Sequence, residues 1–307
     1  MRVARSVGEL ERRPRAVVIG TFDGVHLGHR RLLEAALADG RTPTVITFQP
    51  HPRSVLTGNE VELVASVERR LELLGEVGIE DVLLLDFTLE LASLEAEDFA
   101  REYLRAIGAE VAVAGPSFRF GRAARGDLRL LERLGLETRP VPLVEGTSST
   151  QIRQLLRTGA VDAAARLLGR PAEVEGTVVA GDARGGTLGF PTANLAVPPN
   201  LLVPEFGIYA GAVGEHRAAI SIGVNPYYGG RERRVEAFLL DFAGDLYGRR
   251  LVVELWQRLR DERAFASEAD LVAQIALDVE ATRAAVRPSD TVGEGSRRHG
   301  AARRGGP

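Results

Sequence analysis

Along the first half of the chain, short apolar runs alternate with stretches whose apolar positions recur every three or four residues. "AVVIGTF" (16–22), "PTVITF" (43–48), "DVLLLDF" (81–87) and "EVAVAG" (110–115) read as strands. Between and after them, "HRRLLEAALADG" (29–40), "SVERRLELLGEVG" (66–78), "EAEDFAREYLRAIG" (95–108) and "LRLLERLG" (128–135) carry helical spacing. The first helix sets Leu32, Leu33, Ala36 and Leu37 on one face and meets Gly40 at its end. "ETRPVPLV" (137–144) reads as extended. Strands alternating with helices predict a doubly wound parallel sheet covered on both faces. Ligands of such sheets bind beyond the carboxyl ends of the strands.

A helical stretch, "STQIRQLLRTGAVDAAARLLG" (149–169), interrupted at Gly159, closes this half. From about 172 to 258 the pattern turns β-like: "EVEGTVVAG", "FGIYAGAVG", "RAAISIGV", "RRVEAFLLDF" and "RRLVVELWQRL", separated by turns bearing Gly and Pro. Short strands at this spacing predict an antiparallel barrel or sandwich. A helix over 267–286 follows, and beyond Pro288 apolar periodicity stops. The expected fold class is therefore α/β plus all-β. The expected divisions are an α/β domain at 1–169, a barrel domain with a C-terminal helix at 170–287, and a disordered tail at 288–307.

A length of 307 residues agrees with two domains, and 45% hydrophobic against 26% charged residues fits a globular chain. A net charge of -3 gives no overall basic field, so no nucleic-acid partner is expected. No apolar run approaches the roughly 20 residues of a membrane helix, and the first residues carry no secretory h-region. A cytoplasmic location is the expectation; a homo-oligomer is left open. Cysteine is absent, which removes thiolate chemistry and disulfides. Lysine is absent too: all 39 basic residues are arginine. That excludes a Walker A loop and Schiff-base catalysis. Phosphate handling must fall to arginine, backbone amides, histidine or a metal.

Two stretches carry candidate chemistry. "GTFDGVHLGH" (20–29) follows the first strand and holds two of the five histidines. Gly20 and Gly24 allow close backbone approach, the following helix offers free amides, and His26 and His29 can hydrogen-bond phosphate. Read alone, the pair also fits a glycine turn with surface histidines or, less well, two ligands of a zinc ion. Ser148, Ser149 and Thr150 can cap the closing helix and meet phosphate, and Arg153 lies one turn further on, able to form a charged fork. "GDARGGTLGFPTANL" (181–195) is glycine-dense, with Thr192 and Asn194 offering the hard oxygen ligands that magnesium prefers. A long β-turn with polar caps is the plain alternative.

The strings "GTFDGVHLGH", "TFQPHP" (47–52), "GPSFRFGRAARGD" (115–127) and "SSTQIRQLL" (148–156), in that order, resemble the nucleotidyltransferase module of the bacterial bifunctional riboflavin kinase/FAD synthetases. "GFPTANL", "FGIYAG" (206–211), "AAISIGVNP" (218–226), "VEAFLLDFAGDLYG" (235–248) and "LRDERAF" (259–265) resemble its riboflavin kinase module. The resemblance covers about 17–286. It implies two steps: ATP phosphorylates riboflavin to FMN, and FMN attacks a second ATP to give FAD and pyrophosphate. It implies an ATP site at Gly20, Phe22, Asp23, Gly24, His26, His29, Ser148, Ser149, Thr150 and Arg153. It implies flavin contacts at Ser117, Phe118, Phe120, Asp127 and Arg260. Gly181, Gly189, Thr192 and Asn194 would meet ATP phosphates, Thr192 and Asn194 would hold Mg2+, and Glu236 would be the general base. Three positions depart from the family pattern: Ser117 for the usual Asp or Asn, Gly186 for arginine and Tyr227 for threonine. Ser117 leaves open a second reading, a riboflavin kinase whose N-terminal module is inactive or altered in substrate. A third reading makes the arginine-rich tail a nucleic-acid or partner anchor.

Overall fold

The computed structural model describes residues 1–142, 144–181, 190–224 and 233–288. Gly186, Gly189, Tyr227 and the stretch 289–307 lie outside the described residues. The chain forms two compact units: Met1–Gln154 with Pro198–Leu202, and Leu155–Val197 with the chain from Val203 onward.

The first unit is a six-stranded parallel sheet. Its strands are β1 (Arg2–Ala4), β2 (Arg15–Ile19), β3 (Thr42–Gln49), β4 (Asp81–Asp86), β5 (Ala109–Ala114) and β6 (Glu137–Pro140), in the order β1-β4-β3-β2-β5-β6. Every residue of β2 is buried, as a central strand covered on both faces must be. Alternate side chains feed two cores. Ala16 and Val18 pack with Leu33 and Ala36 of α1 (Leu27–Leu37) and with Leu73 and Leu74 of α3 (Val67–Val77). Val17 and Ile19 face Phe99, Leu104, Leu130 and Leu131 on the other side. Phe99 ends α5 (Ala96–Phe99), which continues as a π-helical turn at Ala100–Arg105. Leu130 and Leu131 belong to α6 (Leu128–Arg133). The chain runs outward from β2 through β3 and β4, then crosses to β5 and β6, so strand order reverses between β2 and β5. Open α/β sheets bind ligands at such a point. Two details differ from the sequence reading. β2 stops at Ile19 and Gly20–Phe22 is loop, because Phe22 takes a positive φ of 51°. β1, three residues long, adds an edge strand whose single buried side chain gives no readable pattern.

The second unit opens with α8 (Val161–Leu168), preceded across Gly159 by α7 (Ser149–Arg157), whose last three residues also belong here. Gly159 has φ 72°, and a side chain there would strike Arg258 and Tyr209, so the interruption is required. Six antiparallel strands then close a barrel: β7 (Ala172–Val179), β8 (Ala193–Ala196), β9 (Gly207–Val213), β10 (His216–Val224), β11 (Arg233–Leu239) and β12 (Arg250–Arg260), in the order β10-β11-β8-β7-β12-β9. It is a barrel and not a sandwich. β8 overlaps the end of "FPTANL" and, at four residues, is too short for an alternating pattern to announce a strand. The C-terminal helix α9 (Glu268–Ala284) covers the outer face, and Ala285 just beyond it packs on Ala210, Ala212 and Trp256. No described helix is long and apolar enough to cross a membrane.

Candidate functional site

The loop after β2 is backbone-strained. Phe22, Gly24 and Val25 have φ of 51°, 76° and 40°, and two of the three are not glycine. Burial holds them: Phe22 and Val25 are fully inaccessible. The Phe22 ring lies 5.1 Å from that of His29. Phe22 is thus a support beneath the histidine, not a surface for ATP. His26 is the N-cap of α1, its Nδ1 accepting from the His29 amide at 3.3 Å. The two imidazoles stack with centroids 3.7 Å apart. Gly28 makes room for this stack, since a Cβ there would come within 3.1 Å of the His26 ring.

Asp23 joins motifs that are far apart in sequence. Its Oδ1 accepts from the amides of Val64 and Ala65 at 2.9 and 3.3 Å, and its Oδ2 pairs with Arg153 at 2.6 Å. Its carbonyl accepts from Ser149 Oγ at 3.0 Å. Arg153 also donates to the Glu62 carbonyl at 2.7 Å. Asp23 and Arg153 therefore face each other as a buried tie, and neither is held out as a phosphate contact. Ser148 caps α7 through the Gln151 amide at 3.2 Å, and Thr150 stands exposed in its first turn. The structure adds Arg70, 4% exposed, which the sequence presents as one of two helix arginines. It donates to the carbonyls of Thr21 at 2.7 Å and Phe48 at 3.0 Å, clamping the loop after β2 to the end of β3. Burial, His26 and Arg70 hold His29 well below the usual histidine range. His51, N-cap of α2 (Pro52–Thr57), is also lowered, first by burial, with Asp23 opposing.

Beyond β5, the chain turns so that Phe118 and Phe120 stack at 5.5 Å. Phe120 is buried against Phe99, and Asp127 caps α6 by accepting from the Leu130 amide at 2.9 Å. These two are framework residues; Ser117 is exposed and Phe118 half-buried.

In the second unit a cavity of about 310 Å3 lies on the barrel's outer face beside α9. β11 alternates cleanly: Val235, Ala237 and Leu239 fill the barrel, while Arg234, Glu236 and Phe238 are half-buried on the outer face. Phe238 meets Phe190 edge to face at 5.4 Å, and Phe265 helps line the same cavity. Glu236 pairs in register with Asn194 on one side and Ser221 on the other. Its Oε2 accepts from Thr192 Oγ1 at 3.2 Å, and Arg234 Nη1 donates to its Oε1 at 3.1 Å. The Oδ1 of Asn194 is buried with no hydrogen-bond partner among the described residues. Gly181 leaves space for that amide, since a Cβ would fall 2.2 Å from Asn194 Nδ2. Arg260 also lines the cavity, but its guanidinium grips Asp278 at 3.0 and 2.7 Å and lies over Phe265. It braces α9 and is not an unengaged flavin contact. Arg234, Asp278, Arg70 and Gly28 were not singled out from sequence. Only Arg234 had a readable signal, two residues before Glu236 on the same strand face.

The fold defines a class: a chain that joins an open parallel α/β unit to a closed antiparallel barrel, each with its own cluster of polar side chains. Family models match in that order, FAD synthetase over residues 9–151 and riboflavin kinase over 168–286. The bifunctional riboflavin kinase/FMN adenylyltransferase of Escherichia coli (strain K12) is 35% identical over 91% of this chain and 96% of its own. That of Pseudomonas fluorescens is 37% identical over 94% and 99%. A crystal structure from Streptococcus pneumoniae, described as a macrolide-efflux protein, superposes with a TM-score of 0.81 at 34% identity, covering 92% of this chain and 98% of that one. The chain belongs to the bifunctional riboflavin kinase/FMN adenylyltransferase family, and is a riboflavin kinase and an FAD synthetase in one.

Proposed function

We propose that the outer-face cavity of the barrel is the riboflavin kinase site and the carboxyl edge of the parallel sheet the adenylyltransferase site. One observation carries the first assignment: Thr192, Asn194 and Glu236 converge, with an orphaned oxygen on Asn194. That oxygen fits a cation. Thr192 and Asn194 supply two neutral oxygens, and Mg2+ with few protein ligands takes the rest from ATP phosphates and water. The ion would screen phosphate charge. Glu236 is placed to accept the proton of the ribityl 5′-hydroxyl, while the aromatic wall holds the flavin ring.

At the other site the nucleophile is the FMN phosphate, already ionised, so no base is needed. His26 and His29 hydrogen-bond the ATP phosphates and stabilise charge as the α–β bond breaks. Ser117 and Phe118 stand at the accessible edge for flavin, and Thr150 and Ser148 at the start of α7 for phosphate. Riboflavin, FMN and ATP are the partners, and the cytoplasm, where ATP is plentiful, is the location. Purified protein with riboflavin, ATP and Mg2+ should yield FMN and then FAD. FMN alone, with none converted when FMN is supplied, would mean an inactive N-terminal module.

A further inference from the structure

We infer that Arg234 is a positioning residue of the kinase step, fixing the Glu236 carboxylate in the orientation from which it takes the ribityl proton. The inference rests on the reading of Glu236 as the base.

The register of the barrel carries it. Arg234 and Glu236 share the outer face of β11, two residues apart. Glu236 is held by both oxygens: Thr192 donates to Oε2 and Arg234 to Oε1, at 3.2 and 3.1 Å. Each oxygen keeps a second lone pair for a substrate hydroxyl. Across from Arg234 in register is Gly223 of β10, and the room it leaves is taken by Glu262: a Cβ on Gly223 would lie 2.3 Å from Glu262 Oε1. A second carboxylate therefore stands one step along the face from Glu236. Burial and the charge of Glu236 push the Glu262 carboxyl up, with Arg260 opposing. Like charges at this range turn a flexible side chain away unless a cation holds it. The two arginines that line the cavity are engaged elsewhere, Arg260 by Asp278 and Arg263 by Gln274. Arg234 is the arginine that grips Glu236.

In the step itself, the 5′-oxygen forms its bond to the γ-phosphorus and the bond from that phosphorus to the β–γ bridging oxygen breaks. ADP leaves, and the hydroxyl proton passes to Glu236 and then to solvent. Arg234 touches none of the reacting atoms. It acts through Glu236, and that makes it separable from a merely structural arginine.

The test is a double-mutant cycle on the full chain, measuring FMN formation from riboflavin, ATP and Mg2+. Arg234→Ala should lower kcat about 10- to 100-fold, the scale of a misaligned reacting group, with the KM for riboflavin within about threefold. Guanidinium chloride at millimolar levels should restore part of kcat saturably, and Arg234→Lys should keep part of it. In a Glu236→Gln background, Arg234→Ala should cost almost nothing more, since its target is gone. FAD formation from supplied FMN should not change in any variant. If Glu236→Gln itself retains the parent rate, the base reading falls, and this inference with it. If Glu236→Gln is slow but Arg234→Ala is not, Arg234 is a surface arginine. An equal Arg234→Ala loss in both backgrounds, or a loss without guanidinium rescue and with a lowered Tm, would also overturn the inference.

Discussion

His29 rests as a neutral ring, because burial and the charges of His26 and Arg70 disfavour the proton. Triphosphate brings the opposite field and favours the imidazolium. ATP binding should therefore take up protons between the lowered pKa of the free ring and its higher value beside phosphate, and affinity should weaken as pH rises through that interval. Calorimetry in buffers of different ionisation enthalpy reads this directly; identical heats in all buffers would refute the linkage, and His29→Gln should abolish it. Replacing His26 or His29 by Ala should slow FAD formation by about 30- to 1,000-fold, the loss expected for a group that stabilises developing charge, and leave FMN formation unchanged. Loss of both activities would signal misfolding. In the other site, Gly181→Ala should push the Asn194 amide aside. FMN formation should fall at least about tenfold, while FAD formation from supplied FMN holds; a rate equal to the parent would show that Asn194 need not sit where it does.

At the scale of elements, α9 docks through polar residues. Asp278 and Thr282 are its buried positions, while Leu277 is 64% exposed. An apolar spread around the whole helix gave the sequence no face to choose. The docking face is set instead by Arg260, which reaches across from the end of β12 to Asp278. Asp278→Ala strands that guanidinium, and losing one partner of a partly buried pair should cost about 1.5–3 kcal/mol. Thermal melting should show it, together with a raised riboflavin KM; an unchanged Tm would mean that apolar contacts alone hold α9. The strongly periodic elements, α1, α3 and the central strands, were legible because their spacing is dictated by burial on their own faces. β8 was hidden because it has only four residues, too few for a readable alternation, although its backbone pairs with β7 and β11. The candidate motifs stand out in the sequence, but not which of their side chains face inward. Arg153 and Arg260 read as phosphate or flavin contacts, and each is committed to a carboxylate more than a helical turn away in sequence, a partner that local spacing cannot reveal.

On the scale of the whole molecule, each unit has its own core, and α8 belongs with the barrel, packing on β7 and β12. Its Val161, Ala164, Ala165 and Leu168 are buried. Burying Val161 and Leu168 alone contributes about 3–6 kcal/mol, a large share of a typical domain's stability. A fragment spanning 155–288 should fold and phosphorylate riboflavin. One beginning at 170 should melt at least about 10 °C lower or stay unfolded; equal melting points would show α8 to be dispensable. The first unit has a different dependence. The loop after β2 begins at Gly20, yet the carboxylate that shapes it is matched by an arginine 130 residues further on. A ribosome adding about 5–20 residues per second needs some 6–26 s to reach that partner. Throughout that interval the nascent chain carries an aspartate destined for burial without the arginine that pairs with it, so this loop closes only when nearly all of its own module has been made.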